Sequence, residues 1–254
     1  MIDKDFFYKN LLYNFATSIT QGTGLGSTIS LIDMIKSSSI ELQRGFLVSK
    51  DVMDLLEENN IFNKKILETI NYVIKLLDEK YSLAEVDSLS LISKIKSSFQ
   101  NLTPFIEKKK LAISFSQEKF QSIKLKLNMD KLLVAIEEIY LNAIKYSKSE
   151  TGIQFSFSKR DEYLCVSIKN VVDDDSYGGI PKDKESQVME PFYRIHPPME
   201  EYISVEKLGL GLGLTVVESI ARKHHGQFFI YGFSDNSAQF VLAEILLPIM
   251  ENRS

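Results

Sequence analysis

Three glycines alternate with leucines in Gly209-Leu-Gly-Leu-Gly-Leu214, and the apolar-periodic stretch Thr215–Lys223 follows at once. Glycine costs about 1 kcal/mol relative to alanine in a helix interior, so this run belongs to a loop that delivers the chain into a helix. Without a Cβ, such a loop lets the backbone approach a ligand closely. A helix start adds unpaired N–H groups and a positive dipole end, a ready place for phosphate. Alone, the run is equally compatible with a tight packing loop. Its neighbours in the sequence decide between the two readings.

Upstream, Glu138, Asn142 and Lys145 recur at spacings of four and three. On a helix they share one face. A carboxylate and an amide oxygen are hard ligands suited to Mg2+, which usually binds through one or two such groups plus substrate phosphates. A lysine one turn on meets phosphate as a point charge. The competing structural reading is a solvated face with a Glu/Lys pattern. Between these blocks lie Asp175-Ser-Tyr-Gly-Gly-Ile-Pro181 and Glu190-Pro-Phe-Tyr-Arg194.

Four blocks in this order resemble the ATP-binding domain of sensor histidine kinases and their gyrase-type relatives, over roughly residues 85 to 250. Asn142-Ala-Ile-Lys-Tyr-Ser147 is similar to the N box and Asp175–Pro181 to the first glycine box. Val188–Arg194 is similar to the F box and Gly209–Leu214 to the second glycine box. The resemblance implies ATP and Mg2+ as ligands. Asp175 would read adenine, Asn142 and Glu138 would hold Mg2+, and Lys145 and Arg194 would neutralise phosphate. Tyr146 would flank the base. Gly179, Gly209, Gly211, Gly213 and Leu214 would line the nucleotide, with the amides around Gly211 and Gly213 on its phosphates. The segment from about Lys182 to Leu208, with Pro197-Pro198, would form a mobile lid. A second role for Glu138, activating water for slow ATP hydrolysis, is open. So is an alignment that puts Asn170 at the adenine position, although the spacing from Ile180-Pro181 to Phe192 favours Asp175.

The first 80 residues carry a different pattern. Leu11, Phe15, Ser18, Gly22, Leu25, Ile29 and Ile32 are spaced alternately four and three. So are Val52, Leu56, Asn59, Asn63, Ile66, Ile70, Val73 and Leu77. These are coiled-coil-like seams on two long helices, punctuated by Ser37–Ser39 and Gly45. The fold class expected is α+β: a helical hairpin over 1–80, completed to a four-helix bundle by homodimerisation, then a two-layer α/β sandwich over 81–254. Asn59 and Asn63 would specify register or sit at a frayed turn. Strands are expected from Ala112, over Gly152–Phe157 and Tyr163–Ile168, and at 227–233 and 239–247. Helices are expected over Leu91–Phe105, Met129–Tyr146 and Thr215–Lys223, with a polar connector at 81–90.

Where the resemblance predicts a phosphoacceptor histidine on the first helix, the chain has Gln21, with Gly22 and Gly26 at the acidic and proline positions that follow. The only three histidines are His196, His224 and His225, all in the second half. An amide nitrogen is delocalised and does not attack phosphorus, so self-phosphorylation at the usual place is excluded. The implied function is a histidine-kinase-like signalling protein, a pseudokinase working through a response regulator or a partner histidine kinase. The alternative is phosphorylation of a histidine on a partner chain. Gly22, Gly24 and Gly26 predict a bend, a break or close helix packing. Tyr177 fills a glycine position and Met189 a phenylalanine position of the motifs.

A net charge of −4 without a basic tract gives no expectation of nucleic acid. The single Cys165 excludes an internal disulfide. With no apolar run near 18 residues, membrane insertion is not expected and the chain reads as cytoplasmic.

Overall fold

The computed structural model describes residues 4–20, 25–172, 179–197, 199–202, 205–235 and 238–250. Gln21, Gly22, Gly24, Asp175 and Tyr177 lie outside the described residues.

A five-stranded sheet and three helices form the second layer pair. The strands are β4 (Ala112–Gln117), β6 (Gly152–Arg160), β7 (Tyr163–Val172), β8 (Gln227–Ser234) and β9 (Gln239–Pro248). Their order is β4-β6-β7-β9-β8, with β4 parallel to β6 and the other pairs antiparallel. Side chains alternate across a strand. One face therefore carries Ile153, Phe155, Phe157, Leu164, Val166, Ile168, Ala243, Ile245 and Leu247, all buried. That face packs on α4 (Ser88–Ser97), α6 (Met129–Tyr146) and α7 (Gly213–Lys223). Each fully buried Leu or Ile contributes roughly 1.5–3 kcal/mol.

The helix ends explain the orientation of the layer. Asn128 caps α6, accepting the Lys131 N–H at 3.1 Å. At the other end, the Lys109 ammonium donates to the carbonyls of Ile144, Lys145 and Ser147 at 2.6–3.0 Å. A cation there suits the negative end of the helix dipole. His224 ties the end of α7 to the start of α6. Its Nε2 accepts the Asn128 N–H at 3.0 Å, and Nδ1 donates to the Ile220 carbonyl at 2.7 Å. Burial pushes its pKa down, so the neutral tautomer is held.

The expected connector at 81–90 contains a strand, β3 (Ala84–Asp87), paired with β5 (Lys124–Leu127). The expected helix over Leu91–Phe105 is two: α4 and α5 (Thr103–Lys108), separated at Phe99, whose φ is 69°. A left-handed residue ends a helix, and nothing in the side-chain periodicity signals it. The other expected elements stand within a few residues of their limits.

The N-terminal region differs from one long helical hairpin. It has α1 (Lys4–Thr20), α2 (Leu25–Ser38), a small hairpin of β1 (Ile40–Leu42) and β2 (Gly45–Leu47), and α3 (Lys50–Asp78). Close packing at the glycines is seen at Gly26, where a Cβ would lie 3.2 Å from the Thr20 carbonyl oxygen. On α3 the expected seam is real: every member from Val52 to Val73 is buried or half-buried, and only Leu77 is exposed. Asn59 and Asn63 are not frayed. The Asn63 amide donates to Thr28 Oγ1 at 2.7 Å and to Asn59 Oδ1 at 3.0 Å, and Thr28 also bonds Asn59. This polar knot fixes α2 against α3. The expected α2 seam faces away: Leu25, Ile29 and Ile32 are exposed. The last turn of α3 belongs with the sandwich core. Val73 and Leu76 are buried there, and the Lys223 ammonium caps the carbonyls of Leu76, Leu77 and Glu79 at 2.7–2.9 Å.

Candidate nucleotide site

The main cleft opens between α6, the start of α7 and the helix-side face of β7 and β9. Glu138, Asn142, Lys145, Tyr146, Gly179, Arg194, Gly211, Gly213 and Leu214 all line it. These are nine of the residues singled out from the sequence. Gly209 stands just outside, packed on the Glu206 side chain. Asp175 lies outside the described residues, as does Gln21.

The glycine loop makes its turn by two successive left-handed residues, Leu210 (φ 71°) and Gly211 (φ 76°). A Cβ on Gly211 would lie 2.6 Å from the Tyr193 carbonyl oxygen and 2.9 Å from the Phe192 carbonyl carbon. Only glycine fits. Leu210, which has a Cβ, is held in place by burial and by the Ser18 hydroxyl, which donates to its carbonyl at 3.0 Å. Phe15 of α1 meets Phe192 edge-on, with ring centroids 5.0 Å apart. The first helix therefore touches both the F-box loop and the glycine loop. Met189, in place of phenylalanine, is half-buried against the core, and its carbonyl accepts the Thr215 hydroxyl at 2.9 Å.

Helix α7 begins at Gly213 without a side-chain cap. A Cβ on Gly213 would lie 2.7 Å from Glu138 Oε2, so the carboxyl group of Glu138 sits directly against the helix start. Glu138 is 6% exposed. Burial pushes its pKa up to about 8, with repulsion from Glu206 adding and Lys145 opposing. Lys145 is 4% exposed, and its ammonium pairs with Glu206 at 2.8 Å. One residue on, Lys207 pairs with Glu137 at 2.8 Å on the outer side of α6. The 206–207 segment is thus clamped to α6 by two ion pairs of opposite sense. Glu206 carries no motif signal. It lies in the stretch read as a lid, which folds as short turns at 182–184, 187–189 and 200–202.

Two further residues line the cleft: His196, which no motif marked, and Asn170, open in the sequence only as an alternative at the adenine position. His196 packs on Tyr146, ring centroids 5.4 Å apart. Asn170, at the end of β7, is 3% exposed and lines the cleft beside Ile168, Val241 and Ala243. Its Nδ2 has no hydrogen-bond partner.

Residues 128–248 match the family of histidine kinase-, DNA gyrase B-, and HSP90-like ATPases. That segment is a domain of this ATPase family. Sensor histidine kinase CpxA of Escherichia coli K12 is 36% identical over 99 residues, 39% of this chain and 19% of CpxA. The chain thus spans about a fifth of that relative's length. Full-length ShkA, solved in complex with AMPPNP, superposes with a TM-score of 0.55 at 16% identity, over 99% of this chain and 46% of ShkA. Histidine kinase ThkA, solved with the response regulator protein TrrA, gives 0.54 at 14% identity, over 94% of this chain and 60% of that one. Identities this low establish shared architecture. The sheet domain and the helical N-terminal region share the architecture of these two solved chains. Among the described residues, no helix is long and apolar enough to cross a membrane.

Proposed function

We propose that the chain is a histidine-kinase-like signalling protein that binds Mg-ATP, does not phosphorylate its own first helix, and acts through a partner. The observation that carries this reading is the contrast between its two halves. The nucleotide cleft keeps Asn142, Lys145, Arg194 and the glycine loop together, whereas Gln21 occupies the acceptor position. Asn142 and a deprotonated Glu138 would hold Mg2+ jointly with the phosphates, since among the described residues no group of three His, Cys, Asp or Glu forms a cage. The metal would supply charge neutralisation of the phosphates; positioning falls to the chain's own amides and cations.

The exposed Leu25, Ile29 and Ile32 stripe on α2 supports assembly of two copies into a four-helix bundle. A response regulator, the class of partner seen with ThkA, or a partner histidine kinase would dock on that bundle. The second reading is transfer of phosphate to a histidine of a partner, favoured by the better preserved ATP cleft. Slow hydrolysis is a third reading, in which Glu138, buried against the start of α7, would activate water.

Incubation with γ-labelled ATP, alone and with candidate kinases and regulators, separates these readings. No label on any protein, with a stable complex on gel filtration, is the result expected. Acid-labile label on a partner would establish the enzyme reading. Label on the chain's own first helix would contradict the argument from Gln21.

A further inference from the structure

The small hairpin of β1 and β2 is apolar and uncovered. Ile40, Leu42, Phe46 and Leu47 are 55–67% exposed. Single exposed apolar residues are ordinary, but four within one short hairpin mark an interaction surface. A two-stranded hairpin is marginal in water by itself and becomes stable with further strands or a packed helix. Its register shows which edge can take another strand. Side chains alternate, so Ile40, Leu42 and Leu47 share one face, and Glu41 and Phe46 the other. Leu42 and Gly45 close the two-residue turn Gln43-Arg44 as a hydrogen-bonded pair, and bonded and non-bonded pairs alternate along the ladder. The N–H and C=O of Glu41 and of Phe46 therefore point away from the neighbouring strand, one set on each edge. A carboxylate, Glu41, guards the β1 edge. The β2 edge, Gly45-Phe46-Leu47, carries no charge and so lacks the device by which edge strands avoid pairing.

We propose that β2 pairs with β2 of a second copy, antiparallel about a two-fold axis at Phe46, to give a four-stranded sheet across the dimer. The proposal rests on the two-copy assembly above, and the hairpin continues the exposed Leu25, Ile29 and Ile32 stripe that supports it. About that axis Phe46 exchanges both backbone hydrogen bonds with the partner's Phe46, and Gly45 lies opposite the partner's Leu47. The two phenylalanine rings become a cross-strand aromatic pair. An axis perpendicular to the sheet keeps the Ile40, Leu42 and Leu47 faces of both copies on one side, as a single apolar layer. The same pairing of β1, centred on its outward residue, sets Glu41 against the partner's Glu41, and like charges directly opposite are destabilising. The surface is thus self-complementary along β2 and not along β1.

The test is cross-linking of thiols by a short bismaleimide, at concentrations where light scattering reports a dimer. The single Cys165 is fully buried, so the intact chain is the blank. Phe46→Cys and Glu41→Cys each add one accessible thiol, on opposite edges of the hairpin. Phe46→Cys should link into a covalent dimer. Glu41→Cys should not, because three strand spacings, about 14 Å, separate the two copies of β1. Phe46→Asp, at an exposed position where folding is not at risk, sets two carboxylates face to face and should weaken the dimer about tenfold. Linking of Glu41→Cys as strong as that of Phe46→Cys would overturn the pairing. So would a dimer that neither variant links, or a Phe46→Asp dimer as tight as the intact one, and the two-copy reading would then stand without the hairpin. A Phe46→Cys thiol that a monofunctional maleimide labels freely until a response regulator is added would give the edge to that partner and equally overturn the proposal. A concentration-independent monomer for the intact chain would overturn the two-copy reading and this one with it.

Discussion

Replacing Glu138 by glutamine should make the nucleotide-free protein more stable, and the gain should grow with pH. The carboxyl group is 6% exposed and its pKa is raised from 4.5 to about 8. An acid whose folded pKa lies above its unfolded one stabilises the fold below the unfolded value. That contribution is lost as pH rises through the folded value. The window is therefore 4.5 to about 8. At 1.36 kcal/mol per unit, the full displacement corresponds to roughly 5 kcal/mol. The unpaired amides at the start of α7 favour the carboxylate and offset about 1–2 kcal/mol of this. The wild type should thus lose about 3–4 kcal/mol relative to Glu138→Gln between acid and mildly alkaline pH. Paired urea-unfolding curves of the two proteins, taken at matched pH values across the window, cancel the other titrating groups. A stability difference that does not change with pH would refute the reasoning. A wild type that gains on the variant as pH rises would show that the α7 amides hold the carboxylate charged.

Glu206 neutralises the lysine that phosphate would use, so Glu206→Gln should bind ATP about tenfold more tightly while adenosine, lacking phosphates, binds as before; equal gains for both ligands in titration would mean a loosened loop instead. Gly213→Ala places a methyl group 2.7 Å from Glu138 Oε2. It should cost about 1–3 kcal/mol in thermal or urea unfolding and abolish nucleotide binding, and wild-type behaviour in both would count against the close packing of α7 on α6. Light scattering of the whole chain should give a dimer, and removal of residues 1–63, which keeps Ile66, Ile70, Val73 and Leu76 on the core, a soluble monomer. A concentration-independent monomer for the whole chain would contradict the bundle.

The lining of the cleft was legible in the sequence because its parts are short and local. Glu138, Asn142 and Lys145 share one face of α6, and Gly209–Leu214 runs directly into α7. Strands β6 to β9 announced themselves by alternation against a buried face. What escaped was set by contacts distant in sequence. Glu206 matters only because the loop folds it onto Lys145, 61 residues away. Asn170 was open in the sequence as an alternative adenine position, but its buried, unpaired nitrogen shows only in the fold. In the N-terminal region the spacing alone suggested one helix from Leu11 to Ile32. Instead Ser18 and Phe15 follow the ATPase loops, Leu210 and Phe192, while α2 follows Asn59 and Asn63 of α3. Strand β3 was hidden because its four residues are short, polar in part and paired only with β5.

Titration calorimetry of the whole chain with Mg-ATP, beside Asn142→Ala, tests the central claim most directly. Saturable one-site binding by the wild type, dependent on Mg2+ and weakened about tenfold or more in Asn142→Ala, is the predicted result. No heat of binding by the wild type at millimolar nucleotide, or identical Mg2+-dependent binding by both proteins, would contradict it.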